Sequence, residues 1–175
     1  MRYVWAIFMG SVMVMIAGSA VLAQHGTGGD VQRAVAVIAP IEGEQVRGVV
    51  HFSPDRNGLS IKGEFWNLEQ GSHGFHVHKY GDCTAPRQDS VGPHYLPVAA
   101  GDSSGHGHQG GHEHGHAQYH GDLPQIEAGS EGSVNYEATV DSLSLEGENS
   151  IIGRSLLVHD SAGEKIGCGV IGVGK

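Results

Sequence analysis

Charged residues are scarce in this chain, at 17% of 175, and aromatic residues are scarcer at 6%. Hydrophobic residues stand at 39%, a balance that argues against both a disordered charged tail and a coiled coil. Basic residues are outnumbered 10 to 19 by acidic ones, for a formal net charge of −9. An acidic chain without a basic stripe is a poor candidate for nucleic acid. No stretch carries a convincing helical apolar stripe. Cysteine occurs only at Cys83 and Cys168, neither near the N-terminus, which argues against a lipid-anchored protein. Against these shortages stand 29 glycines, without the triplet period of collagen, and 13 histidines. Glycine at turns between short strands indicates an all-β fold, and the histidine surplus points to metal. The length is that of one domain.

Met1-Arg2 is followed by an uncharged run from Tyr3 to Ala23 that ends in Val21-Leu22-Ala23. A positive start, an apolar stretch and small residues at the end are the pattern of a secretory signal peptide. About 20 apolar residues can also just span a bilayer, but Gly10, Gly18 and Ser19-Ala20 interrupt the run. We therefore expect residues 1–23 to be an export signal, residues 24–30 a flexible arm and residues 31–175 one β-domain. The destination is periplasmic or secreted. Two cysteines in an oxidising compartment then indicate one disulfide. It would close a loop spanning nearly half the chain, worth roughly 4–5 kcal/mol in the chain-entropy model.

From Ala34 onward the period is two. Short apolar runs at 34–39 and 46–52 end in proline and serine-proline, and Pro54 to Gly58 is a turn cluster. Leu59, Ile61, Gly63 and Phe65 alternate with polar residues, as do Val134, Tyr136, Ala138 and Val140 within 132–145. Further strands are expected at 71–80, 151–158 and 165–173, giving a sandwich or barrel. Trp66 should face outward, since Phe65 faces in. The segment 101–120 alternates glycine and histidine with almost nothing apolar. It cannot pack a core, so it is expected to be a loop, and His-rich tracts commonly bind metal.

His76 and His78 lie on one strand in Gly74-Phe75-His76-Val77-His78. Side chains two apart share a face, so both imidazoles point one way while Phe75 and Val77 enter the core. Two neutral imidazoles on a rigid strand begin a copper or zinc site. They have company: Cys83 in Gly81-Asp82-Cys83, His94 in Gly92-Pro93-His94, Asp122 in Gly121-Asp122-Leu123, His159 closing Ile151 to Val158, and Cys168 in Gly167 to Gly172.

In these motifs and their order the sequence resembles the copper/zinc superoxide dismutases from about Val31 to Gly174. The cysteine directly after Gly81-Asp82 looks like that of the bacterial periplasmic branch. The resemblance implies an eight-stranded Greek-key β-barrel, an immunoglobulin-like sandwich with the metal site on its outer face. It implies copper ligation by His76, His78, His94 and His159, with His94 bridging copper to zinc. It makes Cys83–Cys168 the bond tying a loop to the barrel. The implied reaction alternates Cu(II) and Cu(I) to turn superoxide into oxygen and peroxide, with His94 delivering a proton.

Three departures from the family pattern qualify this. The family has a zinc-ligating histidine two places before Gly-Asp; here that position is Tyr119, and His120 is one place late. His94 and Asp122 remain as zinc candidates, and His106, His108, His112, His114, His116 and His120 are on offer without any being singled out. The interval between His159 and Cys168 is a short hairpin, Asp160-Ser161-Ala162-Gly163-Glu164, where the family has a long charged loop. The arginine that guides the anion lies three residues before the last cysteine, where this chain has Lys165, a cation without the bidentate fork. Together these features resemble the copper-only relatives. Arg154 reads as a structural hydrogen-bond donor, and His51 and His73 as ordinary strand or turn histidines.

The expectation is an exported superoxide dismutase with an intact copper site and an altered or absent zinc site. Its partner is superoxide, with no nucleic acid and no membrane insertion after cleavage; the oligomeric state is not legible. The rival is a metal-buffering protein on the same scaffold, in which the His-rich loop stores copper or zinc and dismutation is slow.

Overall fold

The computed structural model describes residues 30–97 and 121–175. The export segment, all of the arm but Asp30, and the His-rich tract with Tyr119 and His120 lie outside them. The described residues form nine strands and one short 3-10 turn at Pro86–Gln88. The strands are β1 Ala34–Pro40, β2 Arg47–Asp55, β3 Gly58–Trp66, β4 Gly71–His73, β5 Phe75–His78, β6 Ile126–Ala128, β7 Val134–Val140, β8 Ser155–His159 and β9 Lys165–Val173. Seven make one antiparallel sheet in the order β5-β8-β9-β1-β2-β3-β7, and β4 pairs with β6. Because β4 runs on into one edge strand and β6 leads to the other, their ladder draws the curled sheet toward a barrel. Counting β4 and β5 as one strand interrupted at Gly74, eight strands are present, the architecture of the β-barrel expected.

Alternation decides which faces turn inward. In β1 Ala34, Ala36 and Ile38 are buried, and in β3 Leu59, Ile61 and Phe65 are, while Trp66 is exposed. Phe65 packs edge-on against Phe75 and Tyr136 at ring-centroid distances of 5.5 and 6.3 Å, a geometry that suits the charge distribution of aromatic rings. Its ring needs space that only glycines leave: a Cβ on Gly48 or Gly63 would approach it to 2.7 or 2.8 Å. Tyr136 has a buried ring, and its hydroxyl donates to the carbonyl of Pro124 at 2.9 Å.

Several boundaries differ from the periodicity. The strand expected at 151–158 starts only at Ser155, because residues 151–154 turn through Gly153 at a φ of 79°. The alternating stretch 132–145 is a strand only over Val134–Val140; Leu143 and Leu145 are buried from a turn instead. β2 continues through Pro54, beyond Phe52, its last residue paired with β1, so the missing N–H costs no bond on that side.

Candidate metal centre

β5 is the platform. On one side it pairs with β8, setting His76 opposite Leu157 and His78 opposite Ser155. On the other side two loop segments join it: His78 forms an isolated bridge with His94, and His76 one with Asp122. The backbone N–H of Tyr95 donates to Val77 at 2.8 Å, and that of Val77 donates to Gly121 at 2.9 Å. Phe75 and Val77 are fully buried and anchor the strand, so the alternate histidines are held to one face. His159 ends β8, where a register irregularity between Val158 and His159 redirects the chain.

The structure brings His76, His78, His94 and His159 together. Ring centroids lie 4.2 Å apart for His76 and His94, 4.7 Å for His78 and His94, and 4.9 Å for His76 and His159. One ring nitrogen from each of His76, His94 and His159 lies within 4.8 Å of the others. His78 stands beside that trio, its ring 5.7 Å from and nearly parallel to that of His159.

Hydrogen bonds assign the protons. The Nδ1–H of His78 donates to the carbonyl of Gly92 at 2.8 Å, and that of His159 to the carbonyl of Gly163 at 3.0 Å. A carbonyl only accepts, so Nδ1 of each ring carries the hydrogen and Nε2 carries a lone pair. Both Nε2 atoms are buried without a protein partner. A buried polar atom without a partner is costly, and the lone pair of a neutral imidazole is what a bound metal ion satisfies. Burial lowers the proton affinity of both rings, to a pKa of about 4 for each. The other two rings share a carboxylate: Asp122 Oδ1 accepts from His76 Nδ1 at 2.9 Å and from His94 Nδ1 at 2.8 Å. Burial also pushes the His76 pKa down, against the pull of Asp122.

Residues around the rings fix them. A Cβ on Gly74 would come within 2.7 Å of His76 Nε2 and 3.2 Å of the His159 Cβ. His73, expected to be an ordinary strand or turn histidine, is buried beneath the centre, its ring nitrogens 3.1 Å from the carbonyl of His159 and 2.8 Å from that of Glu69. Arg154 is structural: its Nε donates to Ser150 at 2.9 Å and its Nη1 to Lys79 at 3.0 Å, with the guanidinium 3.5 Å above the Tyr95 ring. His51 lies exposed on β2. The disulfide Cys83–Cys168 joins the loop after β5 to β9. Lys165 pairs with His159 in the β8–β9 register, and its ammonium donates to Asp89 Oδ1 at 2.6 Å. Sequence reasoning missed Asp89, Gly92 and Gly163; two act through backbone carbonyls, which carry no residue signature, and Asp89 sits in an unremarkable polar turn.

Residues 46–171 match the family model for copper/zinc superoxide dismutase (SODC). The chain therefore belongs to the copper/zinc superoxide dismutase family. It is 33% identical over 159 residues to a superoxide dismutase [Cu-Zn] of Onchocerca volvulus, covering 78% of this chain and 95% of that protein. It is also 39% identical over 137 residues to an extracellular superoxide dismutase [Cu-Zn] of Brugia pahangi, covering 77% of this chain and 64% of that one.

Proposed function

We propose that this protein is an exported, copper-dependent superoxide dismutase in which Asp122 braces the histidines rather than completing a family-type zinc site. The observation that carries the proposal is the pair of buried, unpartnered Nε2 atoms of His78 and His159, two rings of the cluster that also contains His76 and His94. These four histidines would hold the copper. Bound there, copper would supply the one-electron redox chemistry that superoxide dismutation needs.

The chain's own part is orientation and proton control. The carbonyls of Gly92 and Gly163 hold His78 and His159 in the tautomer that offers Nε2 to metal. Burial keeps those rings neutral at physiological pH, so protons compete weakly for the site. Asp122 orients His76 and His94 from one oxygen, the carboxylate–histidine arrangement that commonly fixes metal-ligating rings. The altered-zinc reading is supported by Tyr119 standing where the family has a zinc-ligating histidine and by the short hairpin 160–164 in place of the long charged loop.

The signal-like segment at 1–23, the disulfide and the extracellular relative support export. Among the described residues no helix is long and apolar enough to cross a membrane.

Metal analysis of the purified protein, coupled to stopped-flow decay of superoxide, tests the reading. One copper per chain with rapid decay, and loss of both on chelation, is expected. Copper retained without decay would instead favour the metal-buffering role.

A further inference from the structure

Lys165, the register partner of His159 between β8 and β9, is not free: it is paired with Asp89. Lys165 is largely buried, its side chain 18% exposed, whereas the Asp89 side chain bonded to it is 81% exposed. An anion approaching from solvent therefore meets the carboxylate before the ammonium. Asp89 is held there by construction. It caps the turn Pro86–Gln88 in the left-handed conformation, at a φ of 62°, with its N–H bonded to Pro86. The loop that carries it is tied to β9, the strand of Lys165, through Cys83–Cys168. The neighbouring Arg87 is likewise tied to a carboxylate, Glu44, at 2.6 Å.

We propose that Asp89 is a positioning residue that masks Lys165, setting how much of the ammonium's field reaches an anion at the histidine cluster. The inference rests on the reading of that cluster as a copper site acting on superoxide. In a chain of net charge −9, the pair contributes no net attraction at the mouth of the site, and an unmasked Lys165 would supply one. Asp89→Asn removes the charge while keeping the side-chain shape, and asparagine tolerates the left-handed backbone.

The test uses the copper-loaded full chain as wild type, Asp89→Asn, Asp89→Glu, Lys165→Met and the Asp89→Asn/Lys165→Met double variant. Two readouts are compared: kcat/KM for superoxide, and the affinity of azide for the Cu(II) protein by absorbance titration. Asp89→Asn should raise both roughly twofold at ~10 mM salt, the scale of one unit charge acting across solvent. The gain should fade towards ~1 M salt, where the screening length is about 3 Å. By the same charge balance Lys165→Met should lower both values by a similar factor, the double variant should return to near wild type, and Asp89→Glu should restore wild-type values. An unchanged or lowered value in Asp89→Asn, or no loss of either value in Lys165→Met, overturns the proposal. If wild type binds Cu(II) and azide but consumes no superoxide, the dismutase reading fails while the azide series still decides the role of Asp89. If no Cu(II) binds, both fall together.

Discussion

The two halves of the histidine cluster are held in different ways. His78 and His159 each give a proton to a backbone carbonyl, and their Nε2 atoms are buried without a partner. His76 and His94 instead converge on one oxygen of Asp122. A carbonyl fixes a tautomer and adds no formal charge; a carboxylate fixes orientation and adds a negative charge that raises ligand basicity. The first pair comes from the edge strand β5 and its neighbour β8, and its partners are backbone carbonyls of the loops that follow those strands. The second pair depends on a side chain brought in by residues 121–123. The carbonyl-held rings therefore have partners that no side-chain substitution removes, while the carboxylate-held rings can be tuned by one substitution.

Removing a ring from the first pair should have the largest effect. His78→Ala or His159→Ala leaves the opposite Nε2 facing a site short of a ligand, and copper affinity should fall by more than ~100-fold, with superoxide decay lost in parallel. Equilibrium dialysis of copper and the decay assay check this. Asp122→Ala should act less severely, lowering copper affinity about 10–100-fold, the usual range for a residue that orients a ligand. Asp122→Asn should fall between it and wild type, because the amide oxygen can still accept both hydrogen bonds but lacks the carboxylate's charge. Equal losses for Asp122→Ala and His159→Ala would erase the distinction between the pairs.

The pairs should also separate by pH. His78 and His159 have pKa values of about 4 in the folded protein, against about 6.5 in an unfolded chain. The unfolded state then binds more protons between those values, so stability falls as pH drops from about 6.5 towards 4 and levels off below. In the metal-free protein the Tm should fall by roughly 10 °C across that window, with no matching loss between pH 7 and 8. His78→Gln, which cannot take up the proton, should flatten about half of the slope in thermal unfolding.

How much of this was legible beforehand follows the chemistry of each contact. The β-periodicity, the inward Phe65, Phe75 and Val77 and the outward Trp66 could be read because alternation and burial are written in side-chain type. The grouping of His76, His78, His94 and His159 could be read because each sits in a motif. Asp122 was legible only as a possible zinc ligand; its double hydrogen bond depends on the 121–123 segment crossing β5, a long-range pairing that one sequence does not display. His73 was passed over because nothing local distinguishes a histidine that bridges two carbonyls from one in a turn. The break at Gly74 was missed for a related reason: a glycine inside a strand pattern weakens it, but only the folded rings show why the position has to be empty.

That empty position gives the smallest and most discriminating effect, because Gly74 touches one ring of each pair. A methyl there would stand 2.7 Å from His76 Nε2 and 3.2 Å from the His159 Cβ. The first neighbour is the end of a side chain and can rotate away; the second is fixed to β8, whose His159 N–H donates to the carbonyl of Gly74 at 2.8 Å. Gly74→Ala should thus displace His76 more than His159, straining the Asp122 contact and leaving the carbonyl-held pair nearly in place. The expected cost is about 1 kcal/mol in stability, in the range of overpacking, with a few-fold loss of copper affinity. The Cu(II) electron paramagnetic resonance spectrum should shift in a way that Asp122→Asn largely reproduces. A spectrum resembling that of His159→Gln instead would mean that the carbonyl-held half is the one that yields, and that the rigidity assigned to it here is misplaced.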